Sequence, residues 1–103
     1  MANAIVVGKA SQVPPGKMKS FSAGDKRVLV ANVGGTLFAT QDLCTHDNGT
    51  LADGELMGEE IECPRHGARF DVRTGQVRAL PAMFPIKTFP VKVENDEIRI
   101  TFD

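Results

Sequence analysis

The chain contains no tryptophan and no tyrosine, and only two cysteines and two histidines. Without Trp and Tyr the polypeptide itself contributes almost nothing near 280 nm. No apolar run approaches the roughly 20 residues that a membrane span needs, so no membrane insertion is expected. The opening "MANAIVVGKA" lacks the basic start and long apolar stretch of a secretory signal, and a cytoplasmic location is expected. A formal net charge of −1 supplies no field that would draw the chain to nucleic acid or an anionic membrane. There is no internal repeat, no low-complexity tract and no sustained helical stripe. No set of residues resembles a catalytic acid, base or nucleophile, so the protein is not expected to be an enzyme by itself.

What is present is a small globular chain. Its 103 residues make one domain, 1–103, with a modest core to which a bound metal would add useful stability. Period-two alternation and turn residues dominate. "AIVVG" reads as a strand, and "VPPGKMKSF" as a Pro-Gly turn entering a second. "KRVLVANVGGTLFAT" reads as a hairpin turning at Gly34-Gly35. "ARFDVRTGQVRAL" repeats that pattern around Thr74-Gly75, and "IKTFPVKVENDEIRITF" closes the chain as two strands joined at Asn95-Asp96. Strands fall on either side of a loop-rich middle. The prediction is an all-β fold, an antiparallel sandwich or small barrel with an inserted, metal-bearing subdomain over about residues 41–82.

Charge is split within that middle. Residues 41–62 carry seven acidic side chains and no basic one, whereas residues 63–92 carry six basic side chains against the single Asp71. Two solvated faces whose charges partly pair account for this.

Both cysteines and both histidines fall in one segment, "CTHDNGTLADGELMGEEIECPRHG". Cys44 and His46 are separated by one residue, Cys63 and His66 by two. Asp47-Asn48-Gly49 follows the first pair and Gly67 the second, so each pair sits on a turn. A glycine beside a ligand lets backbone amides approach closely and form a nest for anionic sulfur. In a reducing compartment two cysteines point to metal before disulfide. Thiolate and imidazole suit zinc or an iron–sulfur cluster. Zinc sites usually space their paired ligands by two or more residues, which the first pair does not do. Two thiolates on one iron and two imidazoles on the other is the Rieske arrangement.

C-T-H followed by C-P-x-H-G resembles the two-box signature of Rieske proteins. "GGTLFATQDLCTH", "LADGELMGEEIECPRHGARFDVRTG" and "FPVKVENDEIRI" extend that resemblance over essentially the whole chain, to the soluble Rieske ferredoxins of bacterial ring-hydroxylating dioxygenase systems. The resemblance implies stacked antiparallel sheets with the cluster loops inserted, and one 2Fe–2S cluster. It implies Cys44 and Cys63 on the inner iron and His46 and His66 on the outer, more exposed one. Asn48, Gly49, Gly67, Ala68, Phe70 and Pro81 would form the cluster's surroundings, Pro81 in a shielding third loop. The implied function is a one-electron shuttle, taking electrons from an NAD(P)H-oxidising flavoprotein reductase and passing them to a terminal Rieske oxygenase. A structural zinc module that binds another protein, or a redox-sensing subunit, are the alternatives.

Respiratory and photosynthetic Rieske proteins have a second cysteine in each box, joined as a disulfide, and a Ser and a Tyr hydroxyl aimed at cluster sulfur. Set against that pattern this chain has Gly49, Arg65, Ala68 and Phe70. Losing hydroxyl donors to sulfur lowers the potential. Neutral imidazoles make the oxidised centre neutral, where four thiolates would leave it doubly negative, so the fall stops short of plant-type values. A potential of roughly −150 mV is expected. Asp47 and Arg65 lie beside the two histidines, where they serve solubility or steer a partner onto the histidine edge. Such a shuttle needs that edge open, and a monomer is expected.

Overall fold

The computed structural model describes residues 3–23, 26–43, 50–64, 67–80 and 84–102. Among them there are eleven strands, two short 3-10 turns and no α-helix, which bears out the all-β prediction. The strands are β1 (Asn3–Lys9), β2 (Met18–Ala23), β3 (Lys26–Val33), β4 (Thr36–Gln41), β5 (Glu55–Met57), β6 (Glu60–Glu62), β7 (Arg69–Asp71), β8 (Val77–Ala79), β9 (Thr88–Phe89), β10 (Val91–Glu94) and β11 (Glu97–Phe102). They form three antiparallel sheets, ordered β1-β11-β10, β2-β3-β4-β9 and β5-β6-β7-β8.

The middle layer is set by β3. "VLVAN" is buried at five consecutive positions, Val28 to Asn32, the pattern of a strand covered on both faces. Alternate side chains point to opposite faces, and here they enter two different cores. Val28 and Val30 join Phe21, Ala39, Ile98, Ile100 and Phe102 under the β1-β11-β10 sheet. Leu29 and Ala31 join Leu51, Ile61, Cys63, Ala68, Phe70, Val72 and Ile86 under the β5-β8 sheet. One strand thus walls off the framework core from the core beneath the second ligand pair.

The turns follow their chemistry. Gly34 and Gly35, at φ 60° and 98°, close the β3–β4 hairpin. Buried Asn32 accepts from the Gly35 amide and donates to the Val13 carbonyl, both at 2.8 Å. Asn95 and Asp96 are the two non-glycine residues at positive φ among the described residues, 51° and 66°, as a two-residue β10–β11 turn requires.

One reading needs an addition and one a correction. The loop-rich middle also holds a hairpin that was not expected: "ELMGEEIE" forms β5–β6 across Gly58, with Leu56 opposite Ile61. The "TFPVKVE" segment is not one strand. Pro90 has no N–H for a ladder; Thr88–Phe89 pairs with β4, and from Val91 onward the chain pairs with β11 in the other sheet. The opposite charges do pair across the ligand-bearing sheet, Arg69 with Glu62 at 3.0 Å and Arg73 with Glu59 at 3.1 Å. No described helix is long and apolar enough to cross a membrane.

Candidate metal centre

Of the four predicted ligands, Cys63 falls within the described residues; Cys44, His46 and His66 lie outside them, as do Asp47, Asn48, Gly49, Arg65 and Pro81. What the structure establishes is where the segments carrying those residues begin and end.

The first segment leaves the end of β4. Leu43 bridges Thr50, and the Leu51 amide donates to the Asp42 carbonyl at 3.0 Å, so the chain on the two sides of residues 44–49 is held together. The Asp42 side chain is 1% exposed. Its carboxylate accepts from Ser20 Oγ at 2.7 Å and the Ala52 amide at 3.0 Å and forms an ion pair with Arg27 Nη2 at 3.0 Å.

The second segment joins β6 to β7. The Cys63 amide donates to the Ala68 carbonyl at 2.7 Å, closing the turn, and Gly67 takes φ 76° within it. Glu62 pairs with Arg69 beside that turn at 3.0 Å. The Cys63 thiol is 1% exposed, and Ala68 and Phe70 are fully buried. Phe70 is therefore a core residue of β7 beside the second pair.

The two segments touch through Gly54. The 3-10 turn Leu51–Asp53 carries the chain from the first toward the second, and a Cβ on Gly54 would overlap the Glu62 carbonyl oxygen and lie 3.2 Å from Pro64 Cδ. Only glycine permits this backbone approach. A third segment begins at exposed Leu80, after β8, and ends at exposed Phe84. Its far end is held by the Ile86 amide donating to the Gly75 carbonyl at 2.9 Å.

Asp71 ties the latter two segments together. Its carboxylate is fully buried and accepts from the Arg73 amide (2.8 Å), Arg73 Nε (3.2 Å), Arg73 Nη2 (3.1 Å) and Arg78 Nη2 on β8 (2.8 Å). Arg73's hydrogen bonds, with Arg78's, outweigh burial and hold the Asp71 carboxyl well below the usual carboxylate range. Asp42, Gly54 and Asp71 were not singled out by sequence reasoning as parts of a site. The signal for Asp71 was present, since it is the lone acid in a basic stretch; Asp42 is one of seven acids in a run and carries no such mark.

The donor set fits an iron–sulfur centre. A buried thiol at the root of a glycine-bearing turn, walled by Leu51, Ile61, Ala68 and Phe70, suits an anionic sulfur ligand to a shielded iron. Among the described residues no group of three or more His, Cys, Asp or Glu side chains offers a competing metal site.

Comparison with known proteins agrees. The family described as "Rieske [2Fe-2S] domain" matches residues 3–90. The ferredoxin component of biphenyl 2,3-dioxygenase from Rhodococcus jostii (strain RHA1) is 44% identical over 94 residues, covering 91% of this chain and 88% of that protein. The Sphingomonas yanoikuyae B1 ferredoxin superposes with a TM-score of 0.92 at 37% identity, covering 98% of this chain and 100% of the other. A chain in a complex of reduced oxygenase and oxidised ferredoxin in carbazole 1,9a-dioxygenase gives a TM-score of 0.88 at 36% identity, covering 94% and 91%.

Proposed function

Because this chain belongs to the Rieske 2Fe–2S family, we propose that Cys44 and Cys63 hold the inner iron of its cluster and His46 and His66 the outer one. Asn48, Gly49, Gly67, Ala68, Phe70 and Pro81 surround it, and residues of about 41–82 act as the cluster-bearing subdomain of a single 1–103 domain. The protein is the ferredoxin of a dioxygenase system, an electron carrier and not itself an oxygenase. The observation that carries the site assignment is Cys63: a buried thiol at the root of a closed, glycine-bearing turn, opposite the returning end of the first ligand segment.

When bound, the cluster supplies one reversibly held electron. The chain does the rest by holding its ligands still. Cys63 keeps its sulfur in an apolar wall, away from water. Ala68 and Phe70 carry no hydroxyl to donate to sulfur, which supports a potential near the low end of the Rieske range, roughly −150 mV. The carrier delivers to a terminal oxygenase, and an NAD(P)H-oxidising flavoprotein reductase is the proposed donor. A monomer in the cytoplasm suits a diffusing shuttle. Asp47 and Arg65, beside the two histidines in sequence, orient the encounter.

The test is a visible spectrum followed, after dithionite, by EPR on protein purified without chelator. A red-brown oxidised form, with a rhombic reduced signal whose average g lies below that of a four-cysteine cluster, is expected. A colourless protein holding one zinc would refute the assignment.

A further inference from the structure

We propose that Asp42 is a positioning residue that fixes the two described ends of the first ligand segment, Asp42–Leu43 and Thr50–Ala52, onto the β2-β3-β4-β9 sheet. This rests on Cys44 and His46 being cluster ligands, the reading given above. The loop leaves and rejoins the framework at one buried carboxylate. Asp42 Oδ1 accepts from the Ala52 amide just beyond the loop, at 3.0 Å, and its backbone carbonyl accepts from the Leu51 amide at 3.0 Å. Oδ2 accepts from Ser20 Oγ on β2 at 2.7 Å and forms an ion pair with Arg27 Nη2 on β3 at 3.0 Å. Strands 15 and more residues earlier in the chain are thereby bonded to both ends of an excursion whose ligands begin two positions after Asp42.

The chemistry demands a carboxylate. Two donors and a guanidinium charge meet an acceptor-only group, and each oxygen is engaged. An amide of the same shape can keep its oxygen on the Ala52 amide only by turning its NH2 toward Ser20, whose hydroxyl must then reverse from donor to acceptor, and toward Arg27, which loses its counter-charge. The charge is balanced by Arg27, whose own side chain is 55% exposed and can be removed without opening the core.

A residue that merely stabilised the sheet would lower the melting temperature and leave the loop's ligands as they were. A positioning residue also changes how firmly the cluster is held and how uniform its environment is. The experiment compares wild type with Asp42→Asn, Ser20→Ala and Arg27→Met. The rate at which an iron chelator bleaches the visible spectrum is measured at a fixed interval below each protein's melting temperature, alongside the reduced EPR line width. Asp42→Asn is expected to bleach about tenfold faster or more, since a hydrogen bond to a buried charge is worth at least that factor in an opening equilibrium. Its EPR signal should broaden, with Ser20→Ala and Arg27→Met falling between it and wild type. Bleaching rates and line widths equal to wild type in all three would overturn the proposal. Should Asp42→Asn fail to fold, the other two variants decide it on the same terms. A wild-type protein without colour would refute the ligand assignment itself, an outcome visible before any variant is made.

Discussion

Replacing Asp71 with asparagine tests the electrostatic account of the ligand-bearing sheet. The side chain is fully buried, whereas Arg73 and Arg78 are 43% and 42% exposed. Asparagine keeps the shape and one acceptor for the Arg73 amide, but it removes the charge that both guanidinium groups address. Hydrogen bonds to a charged group contribute about 1.5–3 kcal/mol each when buried. Half-exposed arginines can turn to water, which reduces that to about 1 kcal/mol or slightly more apiece. A loss of about 2–3 kcal/mol is therefore expected near neutral pH, a fall in melting temperature of roughly 8–20 °C for a domain of this length. The pH dependence fixes the cause. Asp71's carboxyl is depressed in the folded state, chiefly by its hydrogen bonds from Arg73 and with Arg78 adding to them. Its stabilisation is thus fully present above the unfolded value of about 3.9 and is lost as pH falls below it. By pH 3 the difference should therefore have narrowed clearly. Melting of wild type and Asp71→Asn followed by circular dichroism at equal heating rate, from pH 7 to pH 3, reads the gap directly; cluster release common to both cancels in the difference. A gap under about 2 °C at pH 7, or one of the same size at pH 3, would refute the reasoning.

Three further outcomes are expected. Gly54→Ala forces a methyl into the Glu62 carbonyl, backbone against backbone, so it should cost about 1–3 kcal/mol and loosen both ligand segments; melting and cluster retention unchanged from wild type would sink that account. Ala68→Ser places a hydroxyl on a fully buried residue of the Cys63 turn. If it reaches cluster sulfur the potential rises by roughly 20–60 mV, the equivalent of one net hydrogen bond for a one-electron couple, and a redox titration showing no rise removes Ala68 from the cluster's surroundings. Charge reversal at Arg65 should change the ionic-strength dependence of electron transfer to the oxygenase while leaving the visible spectrum intact; an unmoved salt dependence ends the docking role.

Local signals made the framework legible in the sequence. Gly34-Gly35 and Asn95-Asp96 are two-residue turns whose positive φ the residue types announce, and the strands around them alternate or run apolar as burial requires. The β5–β6 hairpin hid because four of its strand positions are Glu or Met, with only Leu56 and Ile61 facing inward. A three-residue strand shows too little alternation to be read. Pro90 disguised a change of sheet as one strand, because strand propensity says nothing about which neighbour each half will pair with. The family was legible in the paired Cys and His motifs, but the groups at the ends of their segments were not. Asp42's side-chain partners lie at Ser20, Arg27 and Ala52, and a carboxylate that ends up buried looks in sequence like any surface acid.

The arrangement of the layers bears on the electron-carrying role. A carrier must keep its ligand geometry nearly the same with and without the extra electron, so its loops need fixed ends. Here each described loop end closes on a backbone hydrogen bond or a buried carboxylate: Asp42 below the first segment, the Cys63–Ala68 contact at the second, Asp71 and Gly75 behind the third. The first end stands on the β2-β3-β4-β9 sheet, and the β5-β8 sheet that carries the other two packs against one face of β3, whose opposite face is packed against a separate core. Strain at the ligand loops must therefore pass through β3, where five successive residues are held on both sides. Close-packed interiors resist such deformation. The weak point should then be the pair of half-exposed arginines and Arg27, which neutralise Asp71 and Asp42, the two buried carboxylates among the described residues. These partners can be lost to water without unpacking the core, which is why substitutions at Asp42 and Asp71 discriminate between a rigid scaffold and a merely stable one.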